Sequence, residues 1–252
     1  MKTKLLTLVI MLVTAAGLVA ADDPLAAGAA ALNANQLDTA DALLTPLAAV
    51  EKPDPRVFLQ LSELRVRQGR AKDAVGFAEK AVAAAPGEAR LHSNLGRVLS
   101  VRIGEVNFLH QGLLAGRMRE AFEKSIELDP EHMDGYFGLA RYYTNAPAIV
   151  GGGREPAERY AREIEKRNPQ LGTLELARIA ERFGDPAGAL VLYTKAATAQ
   201  PDNAAIEESL GRVNEALGNA AAARPHYEKA LALASDRRGA REALARLDAP
   251  KS

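Results

Sequence analysis

The sequence predicts an all-α protein, a solenoid of about six helix–turn–helix repeats closed by a C-terminal capping helix. Three observations carry this. Landmark residues recur 34 apart: Ala40 and Ala74, Leu61 and Leu95, Leu176 and Leu210, Ala189 and Ala223. Each unit reads as an apolar stripe at helical spacing, a Gly-centred break and a second helical stripe, as in 58–86, 174–201 and 208–234. Prolines close successive units at Pro86, Pro130, Pro169 and Pro201. A helix that is apolar on one stripe cannot bury it alone, whereas stacked pairs bury a continuous core.

The segments follow in order. Residues 1–21 place Lys2 and Lys4 before an apolar run from Leu5 to Ala16 and end in small residues ahead of Asp22, Asp23 and Pro24. That is the form of a secretory signal peptide, with cleavage expected near Ala20 or Ala21. Its apolar run is short for a bilayer span, and the expected mature chain has no second run long enough for one. Residues 22–252 then read as a single domain. Its repeats run over about 22–54, 55–88, 89–132, 133–169, 170–203 and 204–235. Residues 236–250 form the cap, with Ala240, Ala243, Leu244 and Leu247 on one stripe and charge on the rest. Pro225, inside the last repeat, is expected to bend its helix or delay its start.

The composition suits such a domain. The chain has 252 residues, 48% hydrophobic, and abundant Ala suits close helix crossings. It has 32 basic and 32 acidic residues, so nucleic acid is not an expected partner. With no cysteine there is no disulfide framework, thiolate metal site, Cys nucleophile or lipid-attachment Cys. Export without disulfides points to a bacterial periplasm, or to secretion after cleavage.

A 34-residue helix–turn–helix period with these landmarks resembles the tetratricopeptide repeat (TPR). The opening aromatic of helix A is matched by Phe58 and Tyr136. The Leu-Gly pair is matched by Leu95-Gly96 and Leu210-Gly211, with Leu139-Ala140 and Leu176-Ala177 as variants. The small residue of helix B is matched by Ala40, Ala74, Ala157, Ala189 and Ala223, and its aromatic by Phe122, Tyr193 and Tyr227. The resemblance spans about residues 24–235. It departs from the family in lacking Trp and in a weak first repeat. It implies a right-handed superhelix whose A helices line a concave groove. The long third repeat followed by AP-x-x-GGG further resembles a subset of exported bacterial TPR proteins.

Pro86 to Pro130 spans 44 residues and Pro130 to Pro169 spans 39, so the third and fourth repeats carry insertions of 10 and 5. Both fall between helix A and helix B, around 101–116 and 145–156. Adjacent repeats place equivalent turns side by side. Ile103, Val106 and Phe108 of the first turn are therefore expected either to extend helices A and B and meet Gly151, Gly152, Gly153 and Arg154 of the second or to offer a partner an apolar edge. Leu109, Leu113 and Leu114 extend that apolar set. The glycines lack the Gly-Lys-Ser/Thr ending of a phosphate-binding loop and follow a helix rather than a strand. They read as a turn permitting φ > 0, with Pro156 opening the next helix. The alternative is an anion site of backbone N–H groups beside Arg154.

No catalytic set emerges. His92, His110, His132 and His226 show no metal spacing, and no G-x-S-x-G elbow occurs. No cofactor is expected. What does recur is an arginine directly after the Leu-Gly/Ala pair: Arg97, Arg141, Arg178 and Arg212. The family resemblance places this position on the groove. Arg67 and Arg182 lie one turn further along the same face. Arginine's planar fork suits carboxylates, so the expected partner is a protein or peptide, an acidic one by this chemistry. The competing possibility pairs these arginines internally with Glu63, Asp134, Glu181, Glu208 and Glu215. The expected function is a non-enzymatic binding scaffold in the periplasm. The alternative is a TPR component holding a small anionic or lipidic ligand for envelope transport.

Overall fold

The computed structural model describes residues 23–249, apart from the side chain of Leu109. The expected signal peptide and the last three residues therefore lie outside the described residues. Thirteen α-helices make up this range, with no strand among the described residues. They are α1 (Pro24–Asn33), α2 (Leu37–Leu44), α3 (Pro55–Arg67), α4 (Ala71–Ala84), α5 (Ala89–Ile103), α6 (Phe108–Leu128), α7 (Met133–Asn145), α8 (Arg154–Arg167), α9 (Pro169–Arg182), α10 (Pro186–Ala199), α11 (Ala204–Ala216), α12 (Ala220–Leu233) and α13 (Arg238–Asp248). Each odd-numbered helix up to α11 is the A helix of a pair and packs on the B helix that follows. Each B helix packs in turn on the next A helix, and α13 closes the stack on α12. Short 3₁₀ turns occupy Pro46–Ala49 and Ala148–Val150.

Local sequence sets the helix ends. Proline opens α1, α3, α9 and α10, where a missing N–H removes nothing the helix could use. Side chains of Asp23, Asp54, Asn107, Asn168, Asp185, Asn203 and Asn219 accept from first-turn amides, satisfying donors that would otherwise be orphaned. Four A–B turns place Asn35, Gly69, Gly184 and Gly218 in the left-handed region, at φ 57°, 70°, 76° and 76°. Asn35 and Gly69 stand 34 apart, as do Gly184 and Gly218. Among the described residues the third repeat has no such residue, and the fourth has Gly151 at φ 89° within its longer turn.

The core is built from small-into-large contacts. Ala40, Ala74, Ala157, Ala189 and Ala223 are all fully buried, which lets each B helix approach its A helix closely. The B-helix aromatics lie against the A-helix glycines. A Cβ at Gly96 would come within 2.8 Å of the Phe122 ring, one at Gly138 within 2.3 Å, and one at Gly211 within 2.7 Å of the Tyr227 ring. Phe122 thus wedges between α5 and α7, beside Leu99, Met118, Leu139, Tyr142 and Tyr143.

The first insertion extends helices A and B, one of its two expected forms, and two other features differ from the sequence reading. The first insertion is mostly helical: α5 continues to Ile103, α6 begins at Phe108, and only four residues separate them. Pro225 neither delays nor stops α12, which starts at Ala220 under the Asn219 cap; the proline removes one N–H from the second turn. The helix after the glycines begins at Arg154, so Pro156 lies within its first turn rather than opening it.

A half-buried ion pair joins the first two repeats. Arg65, 6% exposed, donates to Asp41 at 2.6 and 3.0 Å. The Arg65 guanidinium, with Thr45 and Gln68, holds the Asp41 carboxyl well below the usual carboxylate range against the opposing effect of burial. This pair ties α3 to α2.

Candidate functional site

The concave face divides into two parts of different character. Across the first four repeats it is an open groove of about 1160 Å³. Its sides are the A helices α1, α3, α5 and α7, from Leu32 and Asn33 through Gln60 and Glu63, Arg97 and Ser100, to Phe137 and Arg141. One end is closed by the long turns: Phe108, Gln111 and Ala115 from the start of α6, and Ala146–Val150 after α7.

Of the arginines singled out from the sequence, three line this groove: Arg67, Arg97 and Arg141. Arg67 donates to the Leu32 carbonyl at 2.7 Å and to Glu63 at 3.2 Å, which fixes it. Arg97 donates to Glu63 and, at 2.9 Å, to Asn94, with its side chain 43% exposed. Arg141 is held most loosely. It stands over the Phe137 ring, its Nε is 3.7 Å from Glu175, and its side chain is 62% exposed.

Arg178, Arg182 and Arg212 lie outside this groove, on α9 and α11. Arg178 donates at 3.1 Å to Glu175, the buried carboxylate that Arg141 also approaches. Arg212 makes a two-pronged contact with Glu181. Arg182 is exposed and has no carboxylate partner among the described residues. The sequence grouped all six because the period fixes a residue's place within its repeat. The internal pairings expected with Glu63 and Glu181 are formed by Arg97 and Arg212, while Glu175, which meets Arg178, is not among the carboxylates named from the sequence.

The second half of the concave face carries a recurring constellation. Glu181 accepts from the Tyr193 hydroxyl, 12 residues on, at 3.0 Å, and from Arg212, 31 on. Glu215 accepts from the Tyr227 hydroxyl, again 12 on, at 2.9 Å, and from Arg246, again 31 on, at 3.1 Å. All three positions advance by 34. The carboxylate therefore joins its own B helix to the following repeat. Burial, followed by the Glu181 charge, pushes the Tyr193 hydroxyl up to about 12, so it remains a donor. The Glu181 hydrogen bonds raise Arg212 further above its ordinary range. Nearby, buried Glu207 accepts from Lys229 at 2.7 Å and contacts His226 Nδ1 at 2.8 Å. These partners hold its carboxyl low although burial pushes it up.

One groove arginine was missed by the sequence reading. Arg90, in the first turn of α5, is exposed, lines the groove and has no carboxylate partner among the described residues. Arg56 stands 34 residues before it, each the second residue of its A helix, so the period held a sequence signal for Arg90 that the six-arginine ladder left out.

A hydroxyl–imidazole contact also lies at the groove edge. Ser93 Oγ is 2.9 Å from His132 Nε2, but the hydroxyl donates to the Arg90 carbonyl at 3.0 Å. Asp134 approaches the same nitrogen at 3.9 Å instead of orienting the opposite one. The serine proton is thus directed away from the imidazole, the reverse of an activated nucleophile.

The insertion residues separate in the structure. Ile103 and Phe108 line the groove, and the start of α6 meets the 148–150 turn. Ile103, Leu114 and Ala115 pack with Ala146 on the Phe122 cluster. Val106 lies elsewhere, in a small pocket with Lys72, Val75, His110 and Leu113. Only Gly151 of the three glycines takes a left-handed conformation, at φ 89°. The turn's amides point inward: Gly151 N–H donates to Ala148, Gly152 to Pro147 and Gly153 to Tyr143, at 2.9, 3.1 and 2.8 Å. Arg154 is engaged by Glu158 and Asp185 at 2.7 and 2.9 Å. The donors that an anion site here would need are already used.

Residues 174–238 match the family model for the tetratricopeptide repeat. No curated relative matches the chain. Among solved structures, PilW, described as a widely conserved type IV pilus biogenesis factor, is 18% identical with a TM-score of 0.71, over 88% of this chain and 96% of its own. TTC0263, a thermophilic TPR protein of Thermus thermophilus, is 17% identical with a TM-score of 0.62, over 77% of this chain and 97% of its own. The APC/C hetero-tetramer Cut9–Hcn1 gives 14% identity and a TM-score of 0.65, over 90% of this chain and 42% of the matched one. At these identities the likeness is one of fold.

Proposed function

We propose that this TPR solenoid is a non-enzymatic binding scaffold that works in the bacterial periplasm after signal-peptide cleavage and holds an extended, acidic segment of a partner protein in its α1–α7 groove. One observation carries the reading: the α1–α7 face is an open groove in which Arg90 has no carboxylate partner among the described residues and Arg141 is held only loosely. In a chain of 32 basic and 32 acidic residues, this groove is lined by four arginines, Arg67, Arg90, Arg97 and Arg141, against Glu63 and Asp134. That leaves it two positive charges, four less two. Arg90 and Arg141 are the guanidinium groups with donors to spare, and their fork geometry suits carboxylates. Asn33 and Gln60 have no side-chain partner among the described residues and offer both a donor and an acceptor to a peptide backbone. Solenoids of this fold do assemble with other chains, as in the Cut9–Hcn1 hetero-tetramer. Export rests on the Lys2–Ala21 segment and periplasmic location on export without cysteine.

The test is site-specific photocrosslinking in the native cells. A crosslinker at Ser100 in the groove is expected to give a discrete protein adduct, and one at exposed Val191 on α10 to give none. An adduct of equal yield from Val191, with nothing from Ser100, would overturn the reading.

A further inference from the structure

Phe108 and Ile149 are the two most exposed large apolar side chains among the described residues, at 77% and 89%. They belong to different repeats, one from each insertion, yet both line the closed end of the same groove. Beneath them lie Met118, Phe122, Phe137 and Val150. Folding gains nothing from leaving Phe108 and Ile149 in water, and each adds apolar surface that only a ligand would cover. Arg141 stands over Phe137, one helical turn before the Ala146–Val150 turn, so a guanidinium flanks this apolar end, and Arg97 and Arg90 lie further along α5. Apolar surface and cationic surface therefore adjoin in one trough.

We infer that the two long turns form an anchor subsite that takes a large apolar side chain of the bound segment, Phe, Leu, Ile or Met, while acidic residues near it in the segment meet Arg90 and Arg141. The inference rests on the proposed groove function and adds a specificity element to it. The insertions make one end of the groove selective, so the partner segment is recognised by an apolar residue beside Asp or Glu and not by negative charge alone. The occupant is a peptide segment because the trough carries the carboxamides of Asn33 and Gln60, which have no side-chain partner among the described residues and suit a main chain.

The probe is a phage-displayed library of random 12-residue peptides selected on the purified chain, with affinities of the selected peptides then measured by fluorescence anisotropy. Selected peptides are expected to carry a large apolar residue next to Asp or Glu. Replacing that residue by Ala is expected to weaken binding roughly tenfold or more, the scale of burying one such side chain. The F108S/I149S double variant is expected to lose affinity to the same degree with an unchanged melting temperature, because both side chains are exposed. Val191→Ser, on α10, is expected to leave affinity unchanged. Selected peptides that bind F108S/I149S as tightly as the parent chain, yet weaken with R90A/R141A, would overturn the anchor and leave the groove reading standing. Peptides indifferent to both double variants, or no enrichment at all, would overturn both.

Discussion

Phe122→Ala is expected to lower stability by about 3–5 kcal/mol, the range for removing a buried aromatic ring. Phe122 is 5% exposed and is the wedge between two A helices, touching Gly96 on α5 and Gly138 on α7. Its loss removes contacts on both sides and leaves a cavity whose walls are helix backbone, which collapses poorly. For a chain of this length the change corresponds to a fall in melting temperature of roughly 10 °C. Because a solenoid transmits stability only to neighbouring repeats, hydrogen exchange should accelerate first in α5–α7. The same geometry fixes the sign of a second substitution. Gly138→Ala alone drives a Cβ to 2.3 Å from the ring and is expected to destabilise by about 1–3 kcal/mol. In the Phe122→Ala background the new methyl enters the vacated space, so Gly138→Ala should become neutral or stabilising there. Additive losses in the double variant would show that the ring and the glycine do not share this contact.

Gly152→Ala is expected to be comparably severe for a different reason. A Cβ at Gly152 would lie 1.7 Å from the Ala146 carbonyl oxygen and 2.4 Å from its carbon. Both are main-chain atoms, so no side-chain rotation relieves the clash and the turn itself must open. Opening it breaks the Gly153 N–H bond to Tyr143 at 2.8 Å and displaces Val150 from the Tyr142 hydroxyl at 2.9 Å. A cost of about 3 kcal/mol, the upper part of the range for overpacking, is expected. Gly153→Ala is the contrast. Gly153 sits at φ 165°, an extended conformation open to any residue, and its Cβ would meet only Pro156 at 3.7 Å. It should change stability by less than about 0.5 kcal/mol. Thermal melts of the two variants check the pair, and equal losses would contradict the account of this turn.

These residues also mark how far the sequence could be read. The buried alanines, the B-helix aromatics, the Leu-Gly pairs and the closing prolines were legible because helix packing constrains each position in every repeat. The glycine run was legible as a turn but not in its parts. Its composition signals backbone freedom, yet only Gly151 uses a left-handed conformation, while Gly152 is required by the approach of Ala146. That approach depends on how α7 ends, which local sequence does not state. The arginine ladder was legible as a period, and the competing possibility of internal pairing named Glu63 and Glu181, which meet Arg97 and Arg212. Glu175, which meets Arg178 from its own helix, was not among the carboxylates named. The limits of the groove depend on the two insertions, which break the period and so escape any periodic reading. Arg90 escaped although it keeps the period with Arg56, because the ladder was drawn from the Leu-Gly/Ala landmark and not from the helix start.

The central claim is that the α1–α7 groove, through Arg90 and Arg141, holds the partner. The most direct measurement is the affinity of R90A/R141A for the protein captured by the Ser100 crosslink, taken beside a thermal melt of the variant. Neither arginine holds the fold: Arg90 has no carboxylate partner among the described residues, and Glu175 keeps Arg178 when Arg141 is gone. Hydrogen bonds to charged groups contribute roughly 1.5–3 kcal/mol each, so the double variant should bind about a hundredfold more weakly or worse, with its melting temperature nearly unchanged. Parent-chain binding should also weaken as salt rises. An unchanged affinity in R90A/R141A, or a loss of affinity that only follows a lowered melting temperature, would contradict the claim.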